Sequence, residues 1–174
     1  YKDGWLFYGY PWGANGFLPV YGDFNGGGQA DLMVYSPSAG GLWYLLLLEN
    51  GGSGAFSFGG PTMWPVSGDF DGDGAADLAA YDVFSGLWYV YSFYNGWLVY
   101  GGSWGAYGYL PVSGDFNGGG RTDLAVYSET YGYWYIFLME TGGQSTISGF
   151  GYPGARPVSG DYDADGTSDL ALYD

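Results

Sequence analysis

The stretch GDFDGDGAADLAAYD, from Gly68 to Asp82, places Asp69, Asp71, Asp73 and Asp77 within nine residues and then turns apolar. Carboxylates so crowded repel one another, and a compact loop that holds them is unfavourable unless a cation lies among them. Counting from Asp69, positions 1, 3 and 5 are aspartates, Gly74 at position 6 permits a sharp bend, the carbonyl of Ala75 at position 7 can turn inward, and Asp77 closes the set at position 9. Such hard oxygen donors suit Ca²⁺, which takes six to eight of them at about 2.3–2.6 Å, better than Mg²⁺, which prefers a stricter octahedron and keeps its waters. An EF-hand is excluded: it would need a glutamate at position 12, where this chain has Ala80 inside a strand-like run.

The same motif recurs three more times at a constant spacing of 46 residues, as GDFNGGGQADLMVY from Gly22, GDFNGGGRTDLAVY from Gly114 and GDYDADGTSDLALY from Gly160. Each period also carries a Pro-Val step before the loop, and the first three carry GLWY or GYWY after it. Paired helices would need uninterrupted stretches with 3.6-residue periodicity, whereas Gly, Pro and Asn break this chain every five to ten residues and the pieces are rich in Val, Tyr and Trp. A parallel β-helix would repeat its Gly/Asp loops in tandem rather than once per 46 residues. The period therefore predicts an all-β fold, a β-propeller of four-stranded blades. For the second unit the strands are expected at Met63–Gly68, Asp77–Asp82, Leu87–Ser92 and Trp97–Gly102.

The four blades are expected at residues 17–62, 63–108, 109–154, and 155–174 together with 1–16. Tyr1 aligns with Phe93 and Asp174 with Asp82, so the fourth blade has no counterpart of VFSGLWYVYS. Its outermost strand is expected from the N-terminal residues and its third from a longer array or a neighbouring molecule across the open edge. A second pattern overlies the first, since odd units read GDFNGGG and even units keep the full acidic set.

The fourth unit thus repeats the candidate calcium ligands as Asp161, Asp163, Asp165, Thr167 and Asp169. In the first unit Asp23, Asn25 and Asp31 remain, and in the third Asp115, Asn117 and Asp123, but Gly27 and Gly119 stand where the third carboxylate would be. Affinity follows ligand charge, so these two loops are expected to bind a cation weakly or to serve as plain turns.

Composition narrows the function classes. Eighteen acids against three basic residues give a formal charge of −15, which disfavours nucleic acid and anionic lipid surfaces. No apolar run approaches a membrane span. Cysteine and histidine are both absent, removing disulfides, thiolate and imidazole metal sites and the commonest general base. Outside the loops, Asp82 and Asp174 share a repeat register that suits a turn, and Glu49 and Glu140 share another without forming a catalytic pair. The chain is read as non-catalytic.

Aromatic residues reach 22%. Trp43, Trp88 and Trp134 share one register, as plates that pack blade on blade would. Trp5 with Trp97, and Trp12 with Trp104, recur near turns where rings can stack on sugars.

The segments LPVSGDFNGGGRTDLAVY and WPVSGDFDGDGAADLAAYD resemble the FG-GAP/VCBS repeat family, which forms the propeller heads of integrin α chains and of many bacterial surface and secreted proteins. The resemblance runs through all four periods. It implies calcium in the loops, an extracellular or cell-surface location, and a structural or adhesive module that meets other proteins or glycans. Family propellers commonly have seven blades, so four periods raise the expectation of a homo-oligomer or filament. A lectin is the alternative, and a domain of a polysaccharide-degrading enzyme the second.

Overall fold

A computed structural model of the chain describes residues 12–174, with 14 β-strands and no helix among them. The expected outermost strand drawn from residues 1–16 falls largely on residues 1–11 and so, like Trp5, lies outside the described residues.

The first sheet runs in the order β1 (Leu18–Gly22), β2 (Asp31–Ser36), β3 (Leu42–Leu46), β4 (Ser53–Ser57). The second follows as β5 (Met63–Gly68), β6 (Asp77–Asp82), β7 (Leu87–Ser92), β8 (Gly96–Ser103). The third is β9 (Tyr109–Gly114), β10 (Asp123–Ser128), β11 (Tyr133–Phe137), β12 (Gln144–Ile147), and β13 (Arg156–Gly160) pairs with β14 (Asp169–Tyr173) in a fourth, two-stranded sheet. Every pairing is antiparallel between chain neighbours, as short turns require. In the second sheet the register shifts twice between β7 and β8, so β8 runs two residues longer than expected.

Successive side chains of a strand point to opposite faces, and the run DLxxY uses both. In β6, Leu78 and Ala80 join a core with Val20, Met33 and Tyr35 of the first sheet, while Ala79 and Tyr81 join Leu124 and Val126 of the third. Ala125 and Tyr127 of β10 in turn pack with Leu170 and Leu172 of the fourth. Strands β6 and β10 are thus sandwiched between sheets, which explains why they read as continuous apolar runs. Outer strands β4 and β12 are largely exposed.

The three repeated tryptophans, Trp43, Trp88 and Trp134, are fully buried. Each lies against the tyrosine that ends the neighbouring strand, with centroids 4.5, 5.0 and 4.9 Å apart for Tyr35, Tyr81 and Tyr127. Each indole donates to a carbonyl, of Phe58, Trp104 or Phe150, at 2.7–3.0 Å. Burying so large a ring without leaving its N–H unpaired makes the packing favourable.

First strands meet side by side: β1 packs on β5, β5 on β9 and β9 on β13. Serine hydroxyls stitch them, Ser67 Oγ to Tyr21 O, Ser113 Oγ to Ser67 O and Ser159 Oγ to Ser113 O. All four strands line one open cleft of about 210 Å³ through their Pro-Val steps.

Candidate metal centres

Every GDF/Y loop bridges the first and second strands of its sheet, and each of the first three also hydrogen-bonds to the next sheet's loop. Asp23 O accepts the N–H of Ala76, Asp69 O that of Thr122, and Asp115 O that of Ser168, each at 2.6 Å. Gly68 is glycine for this reason, since a β-carbon there would run into Thr122. The loop that would hold a cation is therefore also the joint between neighbouring sheets.

In the second unit, carboxylate oxygens of Asp69, Asp71 and Asp77 all lie within 4.8 Å of one another; in the fourth, Asp161, Asp163 and Asp169 do the same. Two oxygens on opposite sides of a calcium ion would be separated by about 5 Å, twice its bond length, so both trios fit one. Asp73 and Asp165 stand outside the trios. Asp73 Oδ1 accepts the N–H of Ala75 at 2.9 Å, and Asp165 Oδ1 accepts both the N–H and the hydroxyl of Thr167. These hydrogen bonds hold Asp165 below the usual carboxylate pKa. In the fourth loop Ala164 takes φ 63°, a left-handed conformation that costs an alanine about 1 kcal/mol or more.

Backbone donors shape the loops in advance. Asp69 accepts the N–H groups of Gly72, Asp73 and Gly74, and Asp161 those of Asp165 and Gly166. Asp77 Oδ2 takes the N–H of Phe70 and Asp169 Oδ2 that of Tyr162. Among the described residues, no backbone N–H reaches Oδ1 of either Asp77 or Asp169. Burial, reinforced by the charges of Asp71 and Asp73, pushes Asp77 up to about 7 despite its Phe70 hydrogen bond. A bound cation would reverse that cost. Burial also works against ionised Asp71, but hydrogen bonds from Asn95, Ser92 and the Asp73 backbone, with the charge of Arg121, hold its pKa below the usual value.

The odd loops are built differently. Both oxygens of Asp31 are capped, by the N–H groups of Phe24 and Leu48 at 3.0 Å, and both of Asp123 by Phe116 and Met139. Burial still raises both groups, Asp123 to about 6. Asp23 and Asp115 are bound to loop N–H groups like their even counterparts. Neither loop gathers a trio of close carboxylates among the described residues.

Two glutamates that the loop spacing does not reveal complete the odd loops. Asn25 Nδ2 donates to Glu49 at 3.0 Å and Asn117 Nδ2 to Glu140 at 3.2 Å. The second unit exchanges the partners, Asn95 Nδ2 donating to Asp71 at 2.9 Å. Acid and amide have traded places between the loop and the hairpin beyond it. Glu49 Oε1 and Glu140 Oε1 occupy the space that a β-carbon on Gly27 or Gly119 would take. Gly27 and Gly119 therefore do more than omit a ligand: they make room for a carboxylate from the next hairpin.

Converting the first loop tests this pairing. Gly27→Asp alone pushes the free end of the exposed Glu49 aside and sets a further carboxylate beside it, and is expected to cost about 0.5 kcal/mol. Adding Asn25→Asp and Glu49→Asn recreates the second unit's arrangement and should recover the stability in calcium while adding one bound ion. Denaturation and calorimetric titration of both variants measure the two effects.

Hydrogen bonds and burial describe the surroundings of the other residues singled out by the sequence. Asp82 caps a turn, accepting from Phe84 N and Ser85 Oγ, and Asp174 accepts from the Tyr152 hydroxyl. Trp104 is half-buried and packs on Phe137 against the core between the second and third sheets. Trp97 remains 45% exposed. No family model matches the chain, and no curated protein matches it.

Proposed function

We propose that the four sheets are blades of a calcium-held β-propeller of the FG-GAP/VCBS kind, working outside the cell as a non-catalytic scaffold that binds or positions other macromolecules. One observation carries the reading: both carboxylate trios lie in loops hydrogen-bonded to a neighbouring sheet, the second unit's through Asp69 O and the Ala76 N–H and the fourth unit's through the Ser168 N–H. Radial placement of the sheets is supported by the side-by-side first strands, their serine stitches and the single cleft they line.

Asp69, Asp71 and Asp77 would hold one ion and Asp161, Asp163 and Asp169 the other. The ion supplies charge neutralisation and no reaction step. Its binding energy becomes folding energy, because the unfolded chain has no preformed site. Asp69 O, tied to Thr122, passes that rigidity on to the third sheet.

Asp71→Asn and Asp163→Asn copy the residues that the odd loops carry at the same position. Each is expected to remove one calcium ion per chain, or to weaken its binding at least about ten-fold, and to lower the melting temperature in calcium far more than in chelator. Equal losses in both solutions would contradict the reading.

A second reading, carbohydrate binding, is favoured by Trp97. Its exposed ring is held by edge-to-face contacts with Phe58, Tyr91 and Tyr100 at 5.0–5.5 Å, so it offers a fixed apolar plate beside an exposed tyrosine. Screening immobilised glycans with Trp97→Ala as control decides whether that plate is used.

A further inference from the structure

We infer that the outer face of the fourth sheet docks on the first sheet of a second copy of this chain, so that copies join head to tail. The inference rests on the radial arrangement of sheets proposed above and is independent of the cations.

Three internal joints define what such a docking requires. At each, the loop carbonyl of one sheet accepts an N–H of the next, as Asp69 O accepts from Thr122. The tyrosine closing each second strand then reaches the turn that opens the following unit, with Tyr35 donating to Gly60 O, Tyr81 to Ala106 O and Tyr127 to Tyr152 O at 2.9–3.0 Å. Before each acceptor stands a glycine with positive φ, Gly59, Gly105 or Gly151, and a β-carbon there would strike the tyrosine hydroxyl.

Both halves of a fourth joint are present and, among the described residues, unmatched. On the presenting side, Tyr173 is 59% exposed and Tyr162 61%, whereas the equivalent Tyr81 and Phe70 are fully buried. Gly160 keeps the glycine of the close approach, and among the described residues nothing from another sheet lies near the β-carbon it would carry. On the receiving side, Ala30 is exposed at the position of Thr122, and the bond from its N–H to Asp161 O is not made. The turn at Ala14 closes on Phe17 as its three counterparts close, and Gly13 before it keeps a φ of +83°. Among the described residues, no tyrosine hydroxyl lies against Gly13. A glycine and a turn shaped for a tyrosine are thus kept where no tyrosine among the described residues meets them.

The occupant follows from this complementarity. Among the described residues, Tyr173 is the one strand-closing tyrosine of its register without a turn to bind, and Ala14 heads the one turn of its series without a tyrosine. They lie on the fourth and first sheets, whose first strands line the same cleft but do not pack together as β9 packs on β5. A second copy brings each half what it lacks. Its joint differs from the internal ones at the axis, where Tyr21 replaces the stitching serine and stands 82% exposed. The faces that meet are unlike, so the contact is heterologous and builds a closed ring or an open chain rather than an isologous pair.

Sedimentation velocity of the full chain, in calcium and across a wide concentration range, tests this with two exposed substitutions, Ala30→Arg on the receiving face and Tyr173→Ser on the presenting face. Wild type is expected to sediment as a dimer or larger species. Each variant should weaken association by at least about 30-fold, the loss expected when a hot-spot contact is removed, with unchanged near-ultraviolet circular dichroism and unchanged calcium stoichiometry. An equimolar mixture of the two variants should form a species of twice the chain mass, because one intact face remains on each. A wild type that is monomeric throughout, an oligomer that survives both substitutions, or a mixture that stays monomeric would overturn the inference. Calcium bound by the monomeric variants keeps this result separate from the test of the cation sites.

Discussion

Replacing Trp88 by alanine is expected to cost about 3–5 kcal/mol, the range for truncating a buried aromatic plate. Domains of this size are stable by about 5–15 kcal/mol, so the substitution removes a large part of the margin. Three contributions disappear together: the fully buried ring, its packing 5.0 Å from Tyr81, and the hydrogen bond to Trp104 O at 2.7 Å. Loss of the indole also leaves that carbonyl without its donor, in a core shared by the second and third sheets. Tyr89, the next residue on the opposite face of β7 and only half-buried, is the control; Tyr89→Ala should cost clearly less. Urea denaturation of both variants provides the comparison. A cost below about 1 kcal/mol for Trp88→Ala would show that the ring is not a packing plate.

The second large effect is a dependence of stability on pH that calcium removes. Without a cation, burial holds Asp77 at about 7 and Asp123 at about 6, against 3.8 for an exposed aspartate. Because both folded-state values are raised, the contribution of these groups is complete below about pH 4 and is lost as pH climbs through 6 and 7. In chelator, stability should therefore fall between pH 4 and 7, by an amount on the order of 2 kcal/mol for Asp77 once the water reaching the loop is allowed for. Calcium requires the ionised carboxylate, so saturating calcium should abolish or invert the slope that Asp77 produces. At a thousand-fold excess over its dissociation constant a single ion adds about 4 kcal/mol. Thermal unfolding across this pH range, with calcium and with chelator, checks both signs. A flat profile in chelator, or an identical slope in calcium, would contradict the assignment of Asp77.

Much of the strand layout was legible because the repeat supplied four readings of one pattern. The expected strands at Met63–Gly68, Asp77–Asp82 and Leu87–Ser92 coincide with β5, β6 and β7. The packing role of Trp43, Trp88 and Trp134 was equally legible, since a ring kept in register must meet the same surroundings each time. Glu49 and Glu140 were less so. Their partners Asn25 and Asn117 lie 24 and 23 residues away, across a hairpin, and the acid and amide exchange places in the second unit, so aligning the loops alone hides the pair. Spacing also could not reveal that Asp73 and Asp165 turn their carboxylates onto their own loop backbone, outside the trios. Trp104 lies near a turn, which suggests exposure, yet it is half-buried against the neighbouring sheet's Phe137.

The most direct test of the account is the number of calcium ions held per chain. Elemental analysis after exhaustive dialysis in calcium-containing buffer, paired with calorimetric titration of stripped protein, should give two ions, one lost with Asp71→Asn and the other with Asp163→Asn. Zero ions, or two that both substitutions leave in place, would contradict it.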